Sequence, residues 1–328
     1  MKRSIALWLC GALLLAFVLE LGSGASALSL PGALADLWQG RDSVASLILV
    51  ELRLPRALLA LLVGAALGMS GAALQGLLRN PLASPDILGI SQVGALAAVL
   101  VLYYGLSSRA WFVLPLAAVA GSALAVLLMF GLNRRHGDSA TIILCGIAIS
   151  AVAGSLISLA LNFAPNPFAM QEIYYWLLGS VANRSRAELL LALPFLLLGM
   201  ALLWRQRAFL DALTLGEDTA HTLGFDTVKA PRLVILGCAC CIGAAVAVSG
   251  NIGFVGLVVP HLLRPLVQAR PSLVLQWSPV GGALLVLLAD LTVQRLPGAQ
   301  ELQLGVLTSA LGGPFFLYLL FRHRAWFR

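Results

Sequence analysis

Phosphoryl chemistry needs a glycine-rich cradle and a lysine on the terminal phosphates, and the only lysines in the chain are Lys2 and Lys229, neither in a Gly-x-x-x-x-Gly-Lys-Ser/Thr context. ATP hydrolysis by this chain alone is therefore excluded. The five cysteines, Cys10, Cys145, Cys238, Cys240 and Cys241, all lie inside apolar runs. The Cys238-x-Cys240-Cys241 cluster has no nearby His or carboxylate to complete a set of metal ligands, so these thiols read as small packing residues and no metal or cofactor is expected on the chain. Ser249 and His261 are of the types used for nucleophilic catalysis, but no feature of the sequence brings them within hydrogen-bond reach. Ser249 reads as helix packing and His261, beside Pro260, as a helix-boundary residue. Proton-driven carriers place carboxylates at mid-membrane, whereas the candidates here, Glu20 and Asp290, stand late in their apolar runs. The chain reads as no enzyme, and any energy it uses must come from elsewhere.

The elements that carry these residues are membrane helices. Of 328 residues 60% are hydrophobic and 11% charged, with a mean hydropathy of +0.95, where soluble domains are about one-quarter charged. Apolar runs near the roughly 20 residues needed to cross a bilayer recur along the whole length. The fold class is all-α and polytopic, with ten transmembrane helices at about 4–28, 47–78, 87–105, 109–132, 140–163, 187–204, 231–250, 252–268, 273–296 and 304–321. Residues 1–328 read as one transmembrane domain, with the first run retained as a helix because it exceeds the length of a signal-peptide core. The formal charge of +7 comes from Arg scattered singly between runs, which excludes a nucleic-acid face. With the N-terminus inside, fourteen of the 21 Lys and Arg fall on the cytoplasmic side and seven outside, as the positive-inside rule requires. Both termini are then cytoplasmic.

On the second helix Gly64, Gly68, Ala72 and Gly76 recur every four residues, a face of small side chains that lets a neighbouring backbone approach. The seventh helix repeats the device with Gly237, Cys241, Ala245 and Ser249. Two five-helix halves of opposite orientation form the inverted repeat common among transporters. The longest charged cytoplasmic segment, between helices six and seven, holds Leu215, Gly216, Glu217, Ala220, Leu223 and Gly224. Its apolar positions between glycine breakers predict short helices outside the bilayer over 212–226.

Several segments resemble the permease family of ATP-binding-cassette importers for iron-siderophore, haem and cobalamin. They are Leu52-Arg53-Leu54-Pro55-Arg56, Arg79-Asn80-Pro81-Leu82-Ala83-Ser84-Pro85-Asp86-Ile87-Leu88-Gly89, the Leu215–Gly224 segment, Gly250-Asn251-Ile252-Gly253-Phe254 running on to Val259-Pro260-His261-Leu262-Leu263-Arg264, and Leu304-Gly305 running on to Gly312-Gly313-Pro314-Phe315. The resemblance implies a dimer of permeases, homodimeric or paired with a paralogue, in a bacterial inner membrane. It also implies two ATPase subunits that bind ATP and Mg, and a periplasmic binding protein that delivers cargo. It assigns Leu215, Gly216, Glu217, Ala220, Leu223 and Gly224 to ATPase coupling. Asn80 and Leu82 fall to a cytoplasmic gate, with Ser139 and Ala140 at a second constriction, where the chain departs from the hydroxyl pair of one family member. Arg53, Arg56 and, with looser spacing, Arg295 correspond to docking positions for acidic residues of the binding protein, with snorkelling to lipid head groups as the alternative. The wording around Ser84–Gly89 leans toward an iron-siderophore, with haem or cobalamin the alternatives. The rival from another class is a stand-alone secondary transporter.

Overall fold

The computed structural model describes residues 3–24, 29–132, 139–296 and 302–322, and these form helices and connecting turns. The ten predicted runs all appear as helices: α1 (Arg3–Gly22), α4 (Leu54–Leu77), α5 (Ile90–Tyr103), α6 (Val113–Leu132), α7 (Ser139–Asn162), α9 (Arg186–Arg205), α12 (Lys229–Ser249), α13 (Val255–Leu263), α14 (Pro271–Arg295) and α15 (Leu304–Arg322). Seven spans are long and apolar enough to cross a bilayer among the described residues, and the segments of α5, α13 and α15 are shorter apolar helices. The chain is a multi-pass membrane protein.

Two short helices, α2 (Leu30–Trp38) and α3 (Val44–Ile48), precede a π-helical turn (Leu49–Arg53) that feeds α4, and α8 (Pro167–Leu177) precedes α9. α2 and α8 fall between the predicted runs, while the run predicted at 47–78 takes in the end of α3 and the π-helical turn. Local capping forms them: Ser29 and Asn166 accept hydrogen bonds at the two N-termini, each followed by a proline in the first turn, where the missing N–H costs nothing. On the other side of the bundle α10 (Arg207–Leu213) and α11 (Glu217–Thr222) build a knob between α9 and α12.

α4 and α12 sit side by side at the centre, running in opposite directions. Exchanging α1, α4, α5, α6 and α7 for α9, α12, α13, α14 and α15 maps most of the helix contacts onto one another. α4 packs on α14 and α13 where α12 packs on α6 and α5, α5 packs on α6 where α13 packs on α14, and α5 packs on α7 where α13 packs on α15. The small-residue faces set these approaches. A side chain on Gly68 would stand 2.5 Å from the Ser278 carbonyl oxygen, and Gly64 meets the Gly282 backbone, so α4 and α14 touch backbone to backbone. Gly76 lies about two turns further on against Leu210 of the knob, and Ala72 is buried between these contacts. In the other half Gly199 of α9 meets Gly237 and Cys241, and Gly243 meets Ser122 of α6.

Candidate functional site

The knob folds around its own small core. Phe209 stacks on Phe225 at 6.0 Å between ring centres, and Ala220 is fully buried. Gly216 and Gly224 take φ of +105° and +89°, where a side chain would be strained, and they turn the chain on either side of α11. Leu215 and Leu223 are left 65% and 58% exposed at the tip. Both apolar side chains thus stand outside the bundle on a compact protrusion.

Two polar links tie this knob to the bundle. Glu217 lies 3.6 Å from Arg79, with both side chains half-exposed, so the knob touches the turn that follows α4. In that turn Asn80 Oδ1 accepts the Leu82 N–H at 2.9 Å and Arg79 takes φ +49°. The expected coupling and gate segments are thus brought together by one ion pair. The second link was not anticipated from sequence. Asp211 accepts hydrogen bonds from Ser272 N (2.8 Å), Ser272 Oγ (2.7 Å) and Arg270 Nε (2.8 Å), so a carboxylate of α10 caps the first turn of α14. A Pro-Ser opening with no Ser, Thr, Asp or Asn cap of its own, as at Arg270-Pro271-Ser272, was the available signal for a cap supplied in trans. Within the bundle beside the knob, Arg264 donates to Gln75 Oε1 (2.8 Å), while Gln75 Nε2 donates to the Leu257 carbonyl (3.4 Å), joining α4 to α13.

Burial alone would raise the Asp211 pKa, but the hydrogen bonds from Ser272 and the Arg270 guanidinium outweigh it and hold the carboxyl below its usual value. A group with a depressed folded-state pKa stabilises fully above its unfolded pKa and loses that contribution as pH falls through the folded value. The clamp is therefore complete at neutral pH and opens only in acid, below the ordinary carboxylate range. Asp211→Asn should weaken it by about 2 kcal/mol, the range of a charged hydrogen bond, and speed amide exchange in α10 and α11 on the order of tenfold or more at pH 7. Unchanged exchange in hydrogen–deuterium mass spectrometry would remove Asp211 from the knob's anchorage.

At the far end, Arg56 Nε and Nη2 donate to Asp290 Oδ2 (2.7 Å) and Oδ1 (2.9 Å). Glu20 Oε1 stands 3.9 Å from the same guanidinium, and Gln294 Nε2 donates to Glu20 and to Asp290. Glu20 and Asp290 are buried. Arg53 is only 7% exposed and donates to the Leu21 carbonyl at 3.1 Å. Two of the three expected docking residues are therefore engaged with groups of the bundle itself, Arg53 buried and Arg56 partly exposed. In a low-dielectric bundle a guanidinium is stable only when paired, and both are turned inward to join α1, α4 and α14. Of the three docking candidates Arg295 is exposed. Two acids and an arginine late or early in apolar runs were the sequence signal for this cluster.

For the second constriction, Ser139 opens α7, and the side chains of Ser139 and Ala140 lie outside the described residues. Ser249 Oγ is spent on the Ala245 carbonyl at 2.7 Å, while His261 lies edge-on to Phe315 at 6.1 Å on a different helix. Cys238 and Cys241 point their thiols at the carbonyls of Ser70 and Leu196 on neighbouring helices. These are packing contacts.

Comparison with known proteins agrees with this layout. Residues 12–322 match the model of the FecCD transport family. The hemin transport system permease protein of Yersinia pestis is 40% identical over 322 residues, covering 95% of this chain and 94% of that one. A vitamin B12 import system permease of Vibrio cholerae is 40% identical, covering 83% and 82%, and an Fe(3+)-citrate import system permease of Bacillus subtilis is 36% identical, covering 92% and 90%. A metal-chelate type ABC transporter solved in an inward-facing conformation superimposes with a TM-score of 0.87 at 30% identity, over 98% of this chain and all of that one. A protruding knob tied to a bundle of two inverted halves, and a match across nearly the whole length, make the chain a permease of the FecCD transport family of ABC importers.

Proposed function

We propose that this permease carries an iron chelate inward across a bacterial inner membrane, as one of two copies, homodimeric or paired with a paralogue. The knob end and both termini face the cytoplasm, in keeping with the excess of Lys and Arg on that side. Two ATPase subunits, which hold ATP and Mg, grip the exposed tip at Leu215 and Leu223, and a periplasmic binding protein delivers cargo to the far end, where Arg295 is exposed. An iron-siderophore complex is the proposed cargo, in a family whose relatives are named for hemin, vitamin B12 and Fe(3+)-citrate. Membership of that family sets aside a stand-alone carrier.

The observation that carries this reading is the knob itself, an apolar tip outside the bundle whose base is bonded both to the turn after α4 and to the first turn of α14. A push on the tip is felt at once by the proposed gate at Asn80 and Leu82. In proteoliposomes containing the complete transporter, Leu223→Asp and Glu217→Arg should insert normally and lose at least about 1.4 kcal/mol of coupling, read as a tenfold or greater drop in cargo-stimulated ATPase and uptake. Native uptake by both variants refutes the coupling role.

A further inference from the structure

Where α4 and α13 end and α14 begins, at the base of the knob, lies a cavity of about 240 Å3. That is below the roughly 300–1,000 Å3 typical of small-molecule sites, so it has room for a small charged group and not for a whole cargo molecule. The charged side chains that line it are both cationic, Arg79 and Arg264. Gln75 and Thr214 are its other polar side chains, and alanine, glycine, proline and valine complete the lining.

Neither guanidinium is fully neutralised. Arg264 is partly buried, and its Nη2 donates to Gln75 Oε1, an uncharged acceptor. Arg56 and Arg184, also partly buried, each have a carboxylate, Asp290 and Glu188, as a charge in a low-dielectric setting requires; among the described residues Arg264 has none. Arg79 meets Glu217 at 3.6 Å with both side chains half-exposed, too long for a hydrogen bond. Asp211, the acid at the base of the knob, is spent on Ser272 and Arg270, and Thr214 Oγ1 donates to the Asp211 carbonyl at 2.7 Å. Two cations thus line one small cavity to which no carboxylate contributes. The backbone around it is also unusual: Arg79 and Ala269 of the lining, and Gln268 beside it, take φ of +49°, +56° and +57°, and non-glycine residues held in that region cluster at ligand clamps.

We propose that this cavity binds a phosphate group between Arg79 and Arg264. A guanidinium offers a planar fork of N–H donors that matches phosphate oxygens two at a time, and basic pockets between helices at a bilayer surface take up anionic head groups. The phosphate comes either on an anionic phospholipid of the surrounding leaflet or free from solution, and the recognition chemistry is the same for both. The binding does not depend on what the permease transports.

The test uses purified, delipidated full-length permease in detergent, without ATPase. Inorganic phosphate is titrated at constant ionic strength and its apparent affinity taken from the rise in Tm, and retention of phosphatidylglycerol against phosphatidylcholine is read by native mass spectrometry. At least one of the two phosphate probes should bind saturably. Arg264→Gln should weaken that binding about tenfold or more, the loss expected for a charged hydrogen bond, and Arg79→Gln should weaken it several-fold. Arg207→Gln, which removes a cation stacked on Trp204 outside the cavity, should leave it unchanged. Should the Arg264 variant fail to fold, Arg79→Gln, at a half-exposed position, carries the same comparison. A response to phosphatidylglycerol alone puts the source in the leaflet, and a response to inorganic phosphate alone puts it in solution; either supports the site. No saturable binding of either probe overturns the proposal, and so does an equal loss in Arg207→Gln, which would mean diffuse surface charge. Since no coupling step is measured, a failure of the knob variants and a failure here are separate results.

Discussion

Arg56→Ala is expected to lower the stability of the detergent-solubilised chain by about 3–5 kcal/mol, the cost of leaving a buried charge without its partner. Arg56 holds Asp290 through two charged hydrogen bonds of 2.7 and 2.9 Å, and their loss strands both Asp290 and Glu20, which are 1% and 2% exposed. Neutralising both members should be far milder, because two apolar side chains leave nothing to desolvate. Arg56→Met with Asp290→Leu should therefore recover most of the loss. Monodisperse protein surviving a heating series, followed by size-exclusion chromatography, distinguishes these outcomes. An Arg56→Ala chain as heat-resistant as the native one would mean that Arg56 faces solvent and is available for docking after all.

Gly71→Ala should rank beside it. A methyl group there falls inside the van der Waals envelope of the Gly256 carbonyl, a backbone atom that cannot swing aside, so α4 and α13 must separate. Overpacking of this kind costs about 1–3 kcal/mol and occasionally more, and a backbone obstacle puts Gly71 at the upper end. The same substitution at Gly11 meets nothing within 4 Å and should gain about 0.5–1 kcal/mol from the better helix propensity of alanine. One chemical change with opposite signs at two sites isolates interhelical contact from helix propensity. A matching loss at both positions would contradict the tight crossing.

Most of the bundle was legible because a bilayer demands long apolar runs. The runs predicted at 231–250 and 273–296 are the helices Lys229–Ser249 and Pro271–Arg295. The helices at 30–38 and 167–177 escaped because hydropathy cannot mark a helix that need not span; the Ser29 and Asn166 caps, each just ahead of a proline, were the cue. The knob was visible as the longest charged interruption, and its glycines do bend the chain where expected. What could not be read was partnership. Nothing in the sequence marks Asp211 as the partner of Ser272 and Arg270, 61 and 59 residues further on. The bond from Arg56 to Asp290 was equally invisible, since hydropathy gives a charge's depth along a helix but not which neighbour it faces.

The separation of that pair also bears on how the protein is made. Arg56 and Asp290 lie 234 residues apart, so at a synthesis rate of about 5–20 residues per second the arginine waits roughly 12–47 s before its permanent counter-ion is even translated. Glu20, already made, is the acid at hand during that interval, and its carboxylate still lies 3.9 Å from the guanidinium in the finished protein. The first helix thus brings an acid within reach of that cation long before the ninth span is made.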